Sequence, residues 1–271
     1  HPRAGQVCCV LPAADAAIPT GFVRHLRAAF QGIDGWAILE AADCPPDTLT
    51  DKTALTLWAE EQEARIGNLV MVCRDPKADP VWKEIASNQS DTIMLVGASS
   101  EAKDGEVPVS ALESEMMRRT IPANTQLVIC RENATDSTLN TDRWLAGRDL
   151  AMHHHIALDR PADFQRLGRF IRGQALGLVL CGGGAFGTAH LGALKALQEH
   201  GYAFDYVGGT SVGAAMAGAL AIELDPDEVM RRCMDIFIGS KAMSRLTVPI
   251  HSVLEHHRLD EALARHYGAL N

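Results

Sequence analysis

The sequence predicts an α/β protein in two parts, each built on parallel strands. Two patterns predict this. Over residues 1–130, short apolar runs alternate with amphipathic stretches of helical period, the alternation that lays parallel strands side by side with helices on both faces. From residue 175 the alternation resumes with a glycine cluster after one strand and a Gly-x-Ser-x-Gly pentapeptide after the next.

The strands of the first part are read at 7–11, 36–39, 69–73, 92–96 and 127–130. Helices lie between them. Phe22, Leu26 and Phe30 recur at steps of four, and Val81, Trp82 and Ile85 mark another apolar stripe. Leu55, Leu57, Trp58 and Ala64 mark a further helix, its stripe broken by Leu57. Ser110 followed by Glu113 is a capping box, so a helix opens there. This pattern is that of an open, Rossmann-like sheet. Its first strand runs into Pro12-Ala13-Ala14-Asp15 and not into a glycine loop, and no G-x-x-x-x-G-K-[ST] occurs. Without a backbone cradle for phosphate the domain reads as a regulatory or spacer unit, not a nucleotide binder.

Residues 131–174 read as a connector. Polar turn residues (Asn133, Asp136, Ser137, Asn140) precede Trp144 and the run His153-His154-His155. Neighbouring side chains of a strand point to opposite faces, so at most two of the histidines share one. No partner stands at ligand spacing, and no metal is expected. Pro161 then opens a lead-in helix that Gly173 stops, with Phe164, Leu167, Phe170 and Ile171 as its apolar stripe. It is expected to lie on the edge of the following sheet. Arg166, Arg169 and Arg172 would form its solvated face.

The third segment, 175–271, carries the chemistry. An apolar strand meets Gly182, Gly183, Gly184 and Gly187, a helix follows with Leu191, Leu194 and Leu197 as its stripe, and a second strand enters Gly209-Thr210-Ser211-Val212-Gly213. A serine held at a sharp strand-to-helix turn needs nearly bare neighbours two residues either side, which Gly209 and Gly213 supply. Backbone N–H groups of Gly183 and Gly184 can converge on an anionic oxygen, as acyl transfer requires. Gly182, Gly184 and Gly187 also fit a dinucleotide fingerprint. That reading needs an acid at the end of the next strand, and Asp205 precedes the strand instead.

The two glycine motifs together resemble the patatin-like phospholipases. The segments TDRWL (141–145), HHH (153–155) and ADFQRLGRFIRG (162–173) extend the resemblance, in that order, to the neuropathy target esterase group and its bacterial relatives. The resemblance implies a patatin-like α/β hydrolase domain preceded by another domain. It implies hydrolysis of phospholipid or lysophospholipid acyl esters by a Ser-Asp dyad, with no cofactor. It makes Ser211 the nucleophile, Gly182, Gly183 and Gly184 the oxyanion hole, and Gly187, Gly209 and Gly213 structural. Phe186 departs from the Arg or Lys of many relatives, which removes a charge that could anchor a lipid phosphate. The family's aspartate sits in a later D-G-G or D-G-A segment. None follows Ser211, where the acids and imidazoles are Asp225, Asp227, Asp235, Asp260, His251, His256, His257 and His266. The expectation is a domain cut short at Asn271, with its aspartate beyond it. The competing class is a non-catalytic lipid-binding scaffold of the same shape.

Composition bounds the rest. Of 271 residues 47% are hydrophobic and 22% charged, with net charge -9, which fits globular domains and argues against a nucleic-acid surface. No apolar run reaches the roughly 18 residues of a membrane span. Seven cysteines without a C-x-x-C pair point to a reducing, cytoplasmic compartment. Peripheral contact with the inner face of a membrane stays open, as does the oligomeric state. Met230, Met234 and Met243 read as core before an acyl-chain channel. The chain begins His1-Pro2-Arg3, which reads as an internal or trimmed segment.

Overall fold

The computed structural model of the chain describes residues 5–241 and 257–268. They fall into two units that divide between Gly173 and Gln174. The first is a parallel sheet of β1 (Val7–Pro12), β2 (Trp36–Glu40), β3 (Asn68–Val72), β4 (Thr92–Ala98), β5 (Thr125–Arg131) and β6 (Met152–Ala157). Its order is β2-β3-β1-β4-β5-β6, with every neighbouring pair parallel. The helices are α1 (Phe22–Ala29), α2 (Pro46–Leu49), α3 (Lys52–Ile66), α4 (Pro80–Asn88), α5 (Ala111–Arg119), α6 (Thr141–Leu145) and α7 (Pro161–Ile171).

Each inner strand is built on a continuous apolar run because both its faces are covered. On one face Cys9 and Leu11 of β1 pack with Leu55 of α3, Trp82 and Ile85 of α4, Met116 of α5 and Trp144 of α6. On the other, Cys8 and Val10 pack with Phe22 and Leu26 of α1 and with Phe164, Leu167 and Ile171 of α7. Burying side chains of this size stabilises by roughly 1.5–3 kcal/mol each before entropy is set against it.

The residues read as a connector belong to this unit. They supply β6, which pairs with β5 along its length, and α7, whose Phe164 ring lies 5.6 Å from that of Phe22. The helix expected on the edge of the following sheet therefore packs within the first unit, against the six-stranded sheet and α1. Its arginines are not all on a solvated face. Arg166 Nη2 donates to His155 O at 2.7 Å, and the Arg172 guanidinium stands 5.5 Å from the Phe30 ring centre. The histidines alternate as strand geometry requires. His153 and His155 share a face with ring centres 5.6 Å apart, while His154 is buried beneath Phe170, 4.7 Å away. Among the described residues no group of three His, Cys, Asp or Glu side chains is placed to hold a metal ion.

The loop after β1 is closed by the protein's own carboxylate. Glu113 Oε2 accepts from the N–H groups of Ala14 (3.0 Å) and Ser110 (2.7 Å). Its Oε1 accepts from Arg148 Nε at 2.8 Å, and both side chains are fully buried. Arg148 Nη1 donates on to the carbonyls of Val107 and Trp144. Glu113 is also the reciprocal partner of Ser110 in the capping box of α5.

The second unit holds a two-stranded parallel sheet, β7 (Gly177–Leu180) and β8 (Tyr206–Gly209), with α8 (Ala189–Glu199), α9 (Val212–Ala221), α10 (Pro226–Met234) and α11 (His257–Tyr267). Leu180, Leu191, Val212, Met216, Val229 and Cys233 form its core. The α8 stripe is only partly covered, for Leu191 and Leu194 are buried but Leu197 is exposed. Met230 packs at the core margin and Met234 is exposed; Met243 lies outside the described residues. Among the described residues no helix is long and apolar enough to cross a membrane.

Two stability predictions follow from these contacts. Burial pushes the His154 imidazole down from 6.5 to about 4, with the neighbouring Arg166 acting the same way. The unfolded chain then binds the proton more readily, so the stabilisation is present above pH 6.5 and drains away as pH falls towards 4. Burial pushes His155 down to about 4 as well. Denaturant unfolding should therefore give a lower value at about pH 5 than at about pH 7, of which His154 contributes roughly 2 kcal/mol, and His154→Leu should reduce the slope without abolishing it. Arg148→Met leaves Glu113 buried without its cation and should cost about 3–5 kcal/mol, most of it recovered in the double variant with Glu113→Gln.

Candidate active site

Ser211 stands between the end of β8 and the first residue of α9, with φ 54° and ψ -128°. For a residue with a side chain this left-handed value of φ is strained, and such strain collects at functional sites. The turn is held from both sides. Thr210 N donates to Leu180 O at 3.1 Å, and Ser211 O accepts from Ala214 N at 2.9 Å. A Cβ on Gly209 would collide with the backbone of Gly213, and one on Gly213 would collide with the carbonyl oxygens of Leu180 and Cys181. Both glycines of the pentapeptide are thus required by close approach. Ser211 itself is exposed.

The glycine cluster lies against this turn. A Cβ on Gly182 would sit 3.2 Å from the Cβ of Ser211. Gly183 and Gly184 open a short 3-10 turn, Gly184–Thr188, in which Gly184 has φ 56°. The first N–H groups of a helical turn have no partner within it and attract negative charge. Gly187 is buried against Val212, which leaves no room for a side chain there. The structure therefore brings Gly182 directly beside Ser211, with Gly183 and Gly184 as the next residues of the same turn. Phe186, in that turn, is 88% exposed.

His190 carries a role that sequence reasoning missed. Its Nε2 lies 3.0 Å from Cys181 O and 3.4 Å from Cys181 Sγ. It anchors the main chain where β7 gives way to the glycine turn. Nothing in the local sequence marks it, since its partner is nine residues back.

The other polar candidates are engaged elsewhere. Asp205 Oδ2 accepts from Leu176 N at 3.1 Å, clasping the starts of β7 and β8, which leaves the dinucleotide reading without its ribose partner. Asp225 caps α10 through the N–H groups of Asp227 and Glu228. Asp227 pairs with Lys195 at 2.9 Å. Asp235 pairs with His266 at 2.7 Å and Arg265 at 3.2 Å, and these partners hold its carboxyl below the usual range. His257 pairs with Glu261 at 3.2 Å. His251 and His256 lie outside the described residues. Among the described residues Ser211 Oγ has no hydrogen bond to a carboxylate or an imidazole.

Comparison with known proteins agrees with this division. Residues 178–245 match the family described as Patatin-like phospholipase. Residues 47–172 match the Neuropathy Target Esterase family P-loop like domain. The neuropathy target esterase sws of Drosophila persimilis is 30% identical over 251 residues, which is 80% of this chain and 17% of that protein. That of Drosophila ananassae is 31% identical over 248 residues, 79% of this chain and 16% of that protein. The chain thus spans about a sixth of the length of these relatives. No solved structure matches. With a family match on each unit and relatives running through both, the chain belongs to the patatin-like phospholipase family, in its neuropathy target esterase group.

Proposed function

We propose that Ser211 is the nucleophile of a carboxylic-ester hydrolase acting on phospholipid or lysophospholipid acyl esters. The observation that carries this reading is the strained Ser211 turn with the Gly182–Gly184 backbone beside it. Ser211 Oγ attacks the acyl carbonyl and gives its proton to a base. The carbonyl oxygen takes up the negative charge and is held by the N–H groups of Gly183 and Gly184. Collapse of the tetrahedral intermediate releases the alcohol, which takes the proton back, and water then cleaves the acyl-enzyme by the same steps. The base is an aspartate outside the described residues, completing a Ser-Asp dyad. These steps use no metal or organic cofactor. Such a substrate would be met at the surface of a membrane, on its cytoplasmic side. A lipid-binding scaffold is the second reading, favoured by the lack of a base on Ser211 among the described residues.

A fluorophosphonate probe separates the two. The full-length protein should be labelled at Ser211, and Ser211→Ala should abolish the label. A folded full-length protein that takes no label supports the scaffold, and label that survives Ser211→Ala overturns the assignment. Gly213→Ala, which must push α9 away from the Leu180 and Cys181 carbonyls, should lower the labelling rate about a hundredfold. Circular dichroism checks that the variant stays folded.

A further inference from the structure

The first unit has a cavity that the proposed reaction does not use. The helix leaving β1 packs on one face of the sheet and the helix leaving β3 packs on the other. These two strands are neighbours. Their outgoing loops therefore part over the carboxyl ends of the strands, which is where open parallel sheets form their ligand crevices. A cavity of about 520 Å³ lies there, walled by both loops and the start of α5. That volume suits a small molecule. The β1 loop carries two consecutive non-glycine residues at φ 54°, Ala14 and Asp15, and strain of this kind marks functional loops.

The charges in the wall select the ligand. Three cationic side chains (Arg74, Lys77, Lys83) face three anionic ones (Asp15, Asp75, Glu115). Most are already engaged. Arg74 pairs with Glu40, Lys83 with Glu115 at 3.4 Å, and Asp75 accepts from the N–H groups of Lys77 and Ala78. The Lys77 ammonium and the Asp15 carboxylate have no partner among the described residues. A polyanion such as a nucleoside triphosphate is poorly matched, since the wall is neutral overall and Glu113 already holds the Ala14 N–H. A quaternary ammonium is poorly matched too, because no aromatic ring lines the cavity.

We propose that this cavity binds a small zwitterion bearing a primary ammonium, which meets Asp15, and a phosphate or carboxylate, which meets Lys77. Two sources share that chemistry, an ethanolamine phospholipid headgroup and a free amino acid. Calorimetric titration of the whole chain with glycerophosphoethanolamine and with free serine tests the site and tells the sources apart. ATP and glycerophosphocholine serve as comparators. One of the first two should bind saturably at millimolar concentration or below. Lys77→Ala and Asp15→Asn should each weaken it about tenfold; asparagine accepts the left-handed backbone of Asp15. The proposal is overturned if neither zwitterion binds up to about 10 mM, if ATP binds better than both, or if binding is indifferent to both substitutions.

Discussion

The carbonyl oxygens of Leu180 and Cys181 lie against the Cα of Gly213, and the second unit depends on that approach. A methyl group at Gly213 would separate α9 from β7. With the helix seated this close, the chain leaving β8 has to turn within a single residue, and Ser211 takes the left-handed conformation that the turn demands. The same closeness brings Gly182 beside Ser211. One steric condition thus positions the helix, exposes the hydroxyl and sets the glycine turn next to it. His190 supports the arrangement from the other side by holding the Cys181 carbonyl.

In the first unit the corresponding place, the end of the first strand, is filled by different chemistry. The β1 loop turns its Ala14 N–H onto the Glu113 carboxylate, and Arg148 neutralises that carboxylate in full burial. A buried ion pair contributes little net stability against a well-packed apolar alternative, yet removing one partner is severe. Its consequence is geometric. Glu113 is shared by the β1 loop, the start of α5 and Arg148, so three segments distant in sequence are fixed to one pair of oxygens. The match to a P-loop like domain covers residues 47–172, which hold Glu113 and Arg148 but not the β1 loop that they fix.

How much of this was legible in the sequence follows from where each signal resides. Strands β1, β3, β4 and β5 were legible because burial on both faces gives a strand a long apolar run, and β2, although an edge strand, was legible from the apolar run at 36–39. The α5 start was legible because a capping box lies within four residues. The Ser211 turn was legible because its strain imposes glycine at fixed offsets. Strand β6 was not, for three of its six residues are histidines and they interrupt its apolar run. Without β6 as a strand, α7 had no sheet to cover in the first unit and was read as part of a connector, expected on the edge of the following sheet. The Glu113–Arg148 pair spans 35 positions, and no local pattern announces a partner so far away. The partners of Asp225, Asp227 and Asp235 were illegible for a related reason: all three follow Ser211 in sequence, and only their contacts reveal that each is engaged.

Parallel sheets gather loops and helix starts at the carboxyl ends of their strands, so backbone N–H groups concentrate there in both units. What differs is whether the chain answers them itself. The β1 loop carries side chains, and a glutamate from α5 reaches it. The turn after β7 begins with three glycines in succession, of which Gly183 and Gly184 are exposed. Glycine there leaves the N–H groups uncovered and lets the backbone itself face whatever approaches Ser211. In the proposed reaction, an acyl carbonyl that became an oxyanion on attack by Ser211 would be the kind of group such a surface favours, because its charge would appear only as the reaction proceeded.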